Sequence, residues 1–210
     1  MCMIKTKSFL DGKVLLMSFP TRKDMNLSMM RISEFQESKH ETIKGRYFTH
    51  EEFLDAYTTS EGEFNYLEFW EGFNVSKELL ARFDTTFPDK TPREKEVLKV
   101  FRESTAGYLI AADTNDYLTL DHELAHARFY LDEEYRKEQL NVIRELRYDH
   151  YSKLKLDLSS HGYSDDVLDD EIQAYLITGR IDELKTMFPS FTIEELISLQ
   201  RKFFSKNYHK

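Results

Sequence analysis

The stretch Asp121-His-Glu-Leu-Ala-His-Ala127 carries the clearest pattern in the sequence. Its two histidines, His122 and His126, stand four positions apart, so on an α-helix their imidazoles project from one face and can share a metal ion. Neutral imidazoles with one position left for water suit Zn²⁺, which lowers the pKa of a bound water to about 7. Glu123, next to the first histidine, can accept the proton of that water. The stretch therefore predicts a zinc site with Glu123 as a catalytic base.

The residues around this stretch predict a helix over about 118 to 131. Its apolar positions recur at spacings of four, three and four, nearly opposite the two histidines, which is typical of a helix with one packed face. These positions are Leu120, Leu124, Ala127 and Leu131. Phe129 lies close to the direction of the histidines. We therefore expect a helix that is covered on both sides.

The quoted stretch resembles the active-site helix of the zincin superfamily of zinc metallopeptidases. The resemblance is specific over this one helix and weak over the rest of the chain. It implies an α+β fold in which a sheet precedes the helix, and it implies peptide-bond hydrolysis by a zinc-bound water that Glu123 activates. In zincins an edge strand of that sheet receives the extended substrate, and residues 108–112 form the strand directly upstream that could belong to such a sheet.

The third metal ligand distinguishes the classes of zincin. In the extended HExxHxxGxxH class it is a histidine, but Phe129 and Asp132 stand where the Gly and the His of that pattern belong. Gluzincins instead take a glutamate from a second helix downstream. The resemblance therefore implies Glu171 as the third ligand, within the stretch Asp169-Asp-Glu-Ile-Gln-Ala-Tyr175.

The residues around Glu171 predict a helix with a packed stripe of its own. That stripe consists of Leu168, Ile172 and Leu176. Glu171 and Tyr175 lie together on its flank, where one can bind metal while the other reaches the site. An acidic helix N-terminus, which the helix dipole stabilises, is the explanation that needs no metal. It fits Asp169 and Asp170 better than it fits Glu171.

Other residues compete with Glu171 for the place of the third ligand. His150 falls within a charged helix and His161 in a turn, and solvated histidines are common in both settings. An aspartate within Ser164-Asp-Asp166 is a weaker alternative. These alternatives stay open at the level of sequence.

The residues that support the metal and the transition state are less well defined. The best-known gluzincin pattern places an acidic residue four positions after the ligand glutamate, where it orients a zinc-bound histidine. Tyr175 stands at that position, so either its phenol or a carboxylate, Asp121 or Asp170, has this role. Zinc peptidases also use a donor, commonly Tyr or His, that stabilises the tetrahedral oxyanion. Tyr175 and Tyr163 are the candidates.

Length, charge and cysteine content limit the number of domains, the classes of partner and the cellular location that the sequence allows. The chain of 210 residues suits one ordinary domain, so we expect a single domain over 1–210. The net charge of −9 disfavours nucleic acid as a partner, because such partners bind basic surfaces. Cys2 is the only cysteine, no signal-peptide pattern opens the chain, and no apolar run reaches the roughly 18 to 20 residues that span a bilayer. We expect a cytoplasmic protein without a membrane partner, with leaderless export left open.

In the rest of the chain, the sequence predicts strands and helices in the first part and helices in the second. Apolar and aromatic runs predict strands at 14–19, 65–73 and 108–112. Start signals, several of them capping boxes, predict further helices. These helices span 50–57, 77–83, 92–103, 132–158, 165–178 and a last segment that begins after Thr192. Asp116 is expected to cap the helix that carries the two histidines.

Together these patterns predict an α+β, zincin-like domain with a small N-terminal mixed sheet and a helical C-terminal half. The expected reaction is zinc-dependent hydrolysis of a peptide or protein substrate. Two rival functions remain at this level. One is a zinc hydrolase that acts on a non-peptide substrate, and the other is a zincin-fold interaction module without catalytic activity.

Overall fold

The structure, a computed structural model, describes residues 4–60, 62–113 and 117–207. Asp116, the expected helix cap, lies outside these residues. The chain divides into two compact units, Met1–Leu120 and Asp121–Lys210. Each unit is described by itself below, and the expectation of a single domain over 1–210 stays a prediction.

A mixed sheet forms the centre of the N-terminal unit. Its described strands are β1 (Lys5–Phe9), β2 (Val14–Phe19), β3 (Gly72–Ser76) and β4 (Tyr108–Asp113). They lie in the order β1-β2-β4-β3. β2 and β4 are parallel, whereas β1 pairs with β2 and β3 pairs with β4 in antiparallel fashion. The predicted small mixed sheet is therefore confirmed.

The apolar composition of β2 and β4 explains why these are the inner strands. All of β2 except Ser18 is buried, and so is all of β4 except Asp113, as expected for strands covered on both faces. β1 carries lysines and is exposed up to Phe9, which suits an edge strand. The strand expected at 108–112 thus lies inside the sheet, and β1 and β3 form the edges among the described strands.

The helices of the N-terminal unit begin largely where their capping residues indicate. They are α1 (Arg22–Glu37), α2 (His50–Tyr57), α3 (Tyr66–Phe69), α4 (Lys77–Thr86) and α5 (Pro92–Arg102). The side chains of Thr49 and Thr91 accept hydrogen bonds from the backbone N–H three residues later, and both capping boxes are complete. α1 packs on the sheet.

The strand predicted at 65–73 is wrong. A single helical turn, α3, occupies its first part, and β3 begins only at Gly72. Tyr66 is buried, its ring lies among those of Phe53 and Tyr57, and its hydroxyl donates to Glu34. These tertiary contacts outweigh the preference of an aromatic run for extended backbone.

The described secondary-structure elements of the C-terminal unit are all helices, as predicted. Its helices are α6 (Tyr117–Leu131, of which the unit contains the part from Asp121), α7 (Glu133–Arg144), α8 (Tyr148–Ser160), α9 (Leu168–Thr178), α10 (Ile181–Met187) and α11 (Ile193–Asn207). α9 packs against α7, α8 and α11. Its predicted stripe is confirmed, because Leu168, Ile172 and Leu176 are buried. The stripe predicted on α6 is covered less completely, with Ala127 buried and the rest half-buried.

Two helix boundaries differ from the prediction. The single helix expected over 132–158 is two helices, α7 and α8, which are separated at 145–147. Leu146 is buried at this break, beside Ile143 in the core of the unit, and no Gly or Pro marks the break in the sequence. The helix expected from 165 begins at Leu168. In the described part of the chain, no helix has the length and apolar character needed to cross a membrane.

Candidate metal centre

Three side chains of the C-terminal unit converge on one point. The Nε2 atoms of His122 and His126 lie 3.1 Å apart, and the Glu171 carboxylate oxygens lie 3.6 Å and 3.7 Å from them. All three potential ligand atoms are within 4.8 Å of one another. The residues that the sequence nominated as ligands therefore form a group that could hold a metal ion.

Two helices supply this group. α6 presents the histidines one turn apart, with ring centroids 4.7 Å apart and planes nearly perpendicular. α9 presents Glu171 in its first turn, on the flank of its buried stripe. His126 is 3% exposed and the Glu171 side chain 13% exposed, so the group is largely removed from water.

The Glu171 carboxylate is electrostatically prepared for a cation. Burial raises its pKa, but His126 and His122 oppose this effect and hold the pKa below its ordinary value. Its Oε2 is buried and has no hydrogen-bond donor among the described residues. A buried oxygen without a donor is unfavourable in a finished hydrogen-bond network, and it is the arrangement expected of a metal ligand.

When no metal is bound, His126 is expected to hold a proton. Burial lowers the pKa of its imidazole, but the carboxylates of Glu171 and Asp170 outweigh burial and raise the pKa to about 10. Because metal ions bind neutral imidazole, a metal at this site has to displace that proton.

Each imidazole is supported at the nitrogen that faces away from the group. The Nδ1–H of His126 donates to Asp170 Oδ1 at 3.0 Å. Nδ1 of His122 lies 3.4 Å from Thr178 Oγ1, which donates its own proton to the Ala174 carbonyl and so accepts from His122. Both Nε2 atoms are thereby directed at Glu171 and can face a metal.

These contacts decide between the residues nominated as supports. Asp170 is the carboxylate that orients a histidine, whereas Asp121 is exposed. Tyr175 lies against His122, with ring centroids 4.6 Å apart, and its hydroxyl is 2.9 Å from that of Tyr163. Burial first, and then the charge of Glu171, raise the pKa of Tyr163. Tyr163 therefore stays a neutral phenol.

Glu123 is buried, at 7% exposure, and directly follows His122 on α6. Its charge is among the causes that raise the pKa of Tyr163 and of Tyr175. The nominated base and the two nominated oxyanion donors therefore act on one another electrostatically.

The competing ligands lie elsewhere. His150 has Nε2 4.0 Å from Glu195 and packs against Phe191. His161 is exposed, and its Nδ1 is 2.8 Å from the Asp157 carbonyl oxygen. Among the described residues, neither histidine belongs to the group around Glu171, and neither does an aspartate of 164–166.

Three residues near the site were not found from the sequence. Thr178 lies seven positions after Glu171 and thus on the same helix face, a spacing that could have indicated it. Gln173 is fully buried, its Nε2 donates to Asp170, and its Oε1 accepts from the Tyr135 hydroxyl. Tyr135 comes from α7, so no local pattern links it to the site.

Two imidazole nitrogens and one carboxylate leave room for further ligands, which is the usual donor set of a catalytic rather than a structural metal. No known protein family, no curated protein and no solved structure matches this chain. The function has to be inferred from the geometry and chemistry of the site itself.

Proposed function

We propose that this chain is a zinc-dependent peptidase whose metal is held by His122, His126 and Glu171. The observation that carries the proposal is the convergence of two Nε2 atoms and a buried carboxylate within 4.8 Å. A second observation, the buried Oε2 of Glu171 without a hydrogen-bond donor among the described residues, fits an oxygen that binds a cation. The zincin-like character of the fold is part of this proposal.

The choice of zinc rests on the residue beside the first ligand. Two histidines and one carboxylate also serve iron(II) in other proteins, so the donor set alone does not select the metal. Glu123 directly follows His122, is buried, and its charge is among the causes that raise the pKa of His126. A base at this position suits hydrolysis by an activated water, for which zinc is the common metal.

In this proposal, each side chain has its own role in peptide hydrolysis. When bound, zinc supplies Lewis acidity, which polarises a carbonyl and lowers the pKa of a coordinated water to about 7. Glu123 accepts a proton from the attacking water and passes it to the leaving amine. Tyr175 or Tyr163, as a neutral phenol, donates a hydrogen bond to the developing oxyanion. Asp170 holds the imidazole of His126 in the tautomer that leaves Nε2 for the metal.

The first test is the metal content of the purified protein. We expect one zinc per chain in the wild type and none in His122→Ala, because two ligands do not retain the ion. His161→Ala is the matched control, since its imidazole is exposed and outside the group. Elemental analysis for all first-row metals checks this. Wild type that stays metal-free after incubation with zinc, or that binds iron selectively, would contradict the proposal.

The second test separates metal binding from catalysis. Glu123→Gln should keep its zinc and lose about 10²- to 10⁴-fold in activity, the usual contribution of a general base. The probe is a peptide library made from a digested proteome, with new termini identified by mass spectrometry. Cleavage by wild type that persists in Glu123→Gln would show that the activity does not use this base. A zinc-loaded wild type that cleaves neither peptides nor intact proteins would refute peptide hydrolysis.

A further inference from the structure

A chain of hydrogen bonds leads from His126 into the interior of the C-terminal unit. The Nδ1–H of His126 donates to Asp170 Oδ1 at 3.0 Å. The amide nitrogen of Gln173 donates to the same oxygen at 2.9 Å. The hydroxyl of Tyr135 in turn donates to the amide oxygen of Gln173 at 2.9 Å. Three helices, α6, α9 and α7, thus contribute to one line of contacts that ends at the metal group.

The direction of each bond in this line is fixed by chemistry. An amide nitrogen donates and an amide oxygen accepts, so Gln173 presents its nitrogen to Asp170 Oδ1 and its oxygen to the Tyr135 hydroxyl. Gln173 is fully buried and Tyr135 is 4% exposed, so water does not replace either partner. A reversed amide would set its oxygen against the Asp170 carboxylate. Tyr135 therefore helps to keep the amide in the orientation that holds Asp170.

Tyr135 is itself held at its backbone and at its ring. Its backbone N–H donates to the Asp132 carboxylate at 3.0 Å, which caps the start of α7. The Arg128 guanidinium lies 4.3 Å from its ring centroid, in cation–π contact. Arg128 and His126 are on the same helix, α6. The far end of the line is therefore tied back to the helix that carries the histidines.

We propose that Gln173 and Tyr135 are positioning residues that set the affinity of the site for zinc by fixing the Asp170 carboxylate. This inference rests on the zinc site proposed above. Two donors on one oxygen hold the carboxylate where it receives the His126 Nδ1–H, and this keeps Nε2 aimed at Glu171 and His122. Without Gln173 or the hydroxyl that orients it, the carboxylate can rotate away and His126 loses its preferred tautomer and ring orientation.

The deciding comparison uses two tyrosines that each lose one hydroxyl. Tyr135→Phe breaks the line, whereas Tyr151→Phe removes a hydroxyl that donates at 2.8 Å to Asp169, the neighbouring carboxylate on α9. Zinc dissociation constants are measured by competition with a chromophoric chelator. We expect about tenfold weaker zinc binding in Tyr135→Phe, the lower end of what supporting residues contribute, and no change in Tyr151→Phe.

A second variant and a spectrum separate positioning from general stability. Gln173→Met keeps the side-chain volume and removes both hydrogen bonds of the side-chain amide. Zinc should therefore bind about 10- to 100-fold more weakly. In the Co²⁺-loaded protein, the visible bands of wild type and Tyr151→Phe should coincide, while those of Tyr135→Phe shift. Urea unfolding of the metal-free variants reports the structural cost alone. If Gln173→Met does not fold, Tyr135→Phe decides.

The outcomes distinguish this inference from the zinc site on which it depends. Zinc binding in wild type with equal affinities and spectra for the two phenylalanine variants overturns the inference and leaves the site standing. A lower urea midpoint in Tyr135→Phe with unchanged zinc affinity also overturns it. A wild type that binds no zinc overturns the site and the inference together.

Discussion

Glu34 in the N-terminal unit and Glu171 in the C-terminal unit are both carboxylates removed from water, and they differ in their partners. Glu34 accepts hydrogen bonds from the hydroxyls of Tyr57 and Tyr66, the latter at 2.8 Å. Burial raises its pKa, and these bonds only moderate that effect. Glu171 faces the Nε2 atoms of His122 and His126, and their influence exceeds that of burial, so its pKa is lowered.

The difference teaches that burial alone does not mark a functional carboxylate. Phenol hydroxyls are neutral donors that satisfy the oxygens of Glu34, so this cluster is complete without an ion. The partners of Glu171 are nitrogens that can themselves bind metal, and its Oε2 lacks a donor among the described residues. A cation could therefore complete the arrangement around Glu171, whereas the oxygens of Glu34 already have their donors.

The largest effect expected from this comparison concerns zinc affinity. Glu171→Gln should weaken zinc binding at least about 100-fold, because even residues that only support a metal site contribute 10- to 100-fold. Glu34→Gln, the same change at a buried glutamate, should leave zinc affinity unchanged. Chelator competition on both variants measures this. Equal weakening by the two variants would break the comparison, because it would show a general effect of losing a buried charge.

A smaller effect concerns the proton of His126. Its pKa is raised to about 10, so the metal-free imidazole is protonated at neutral pH, whereas Glu171, with a lowered pKa, is already ionised. Zinc binding should therefore release a proton from His126, and zinc affinity should rise about tenfold per pH unit between about pH 7 and 8.5. Titration calorimetry in two buffers of different ionisation enthalpy counts the protons. A binding enthalpy that does not depend on the buffer would contradict this assignment.

The smallest effect is on stability without metal, and its sign should differ between the two glutamates. The folded pKa of Glu34 lies above the ordinary 4.5, so its contribution is complete below pH 4.5 and is lost as pH rises through the folded pKa. Glu171 has a lowered folded pKa, so its contribution is present above pH 4.5 and is lost as pH falls through that pKa. Neither slope should exceed about 1.4 kcal/mol per pH unit.

The pH dependence of stability that each glutamate causes can be measured in the structural unit that contains it. Trp70, the only tryptophan of the chain, lies in the N-terminal unit, so its fluorescence during urea unfolding reports the surroundings of Glu34. Hydrogen exchange of peptides from α9 reports those of Glu171. Glu34→Gln and Glu171→Gln should each remove the slope of their own unit. Parallel slopes of equal sign in the two units would show that burial dominates at both sites.

The parts of the site that follow from local spacing could be predicted from the sequence. His122, Glu123 and His126 lie within one helical turn, and the resemblance to zincins added Glu171. The choice between Asp121 and Asp170 needed the packing of α9 against the histidines. Tyr135 could not be found, because it reaches Gln173 only through the way α7 packs on α9.

The fold shows the same limit in the N-terminal unit. The sequence predicted the inner strands, whose side chains form continuous apolar runs, but not β1, an exposed edge strand without an apolar face. It also did not define α1, which buries polar side chains that interrupt the apolar period. Arg31 is the clearest of these, since it is 1% exposed and paired with Asp89 and Glu94. A charged residue in a core becomes understandable only when its partners are known.

The residues with which α9 serves the site can be written as one short pattern, D-E-x-Q-x-Y-x-x-T, from Asp170 to Thr178. One helix thus carries the proposed carboxylate ligand and the hydrogen-bond partners of both imidazoles. A search for relatives that requires HExxH followed by this pattern would select chains by four positions beyond the proposed ligands, namely Asp170, Gln173, Tyr175 and Thr178. The same search with HxxxH in place of HExxH would also retrieve relatives that kept His122, His126 and Glu171 but lost Glu123, and so would separate the ancestry of the site from the ancestry of its activity.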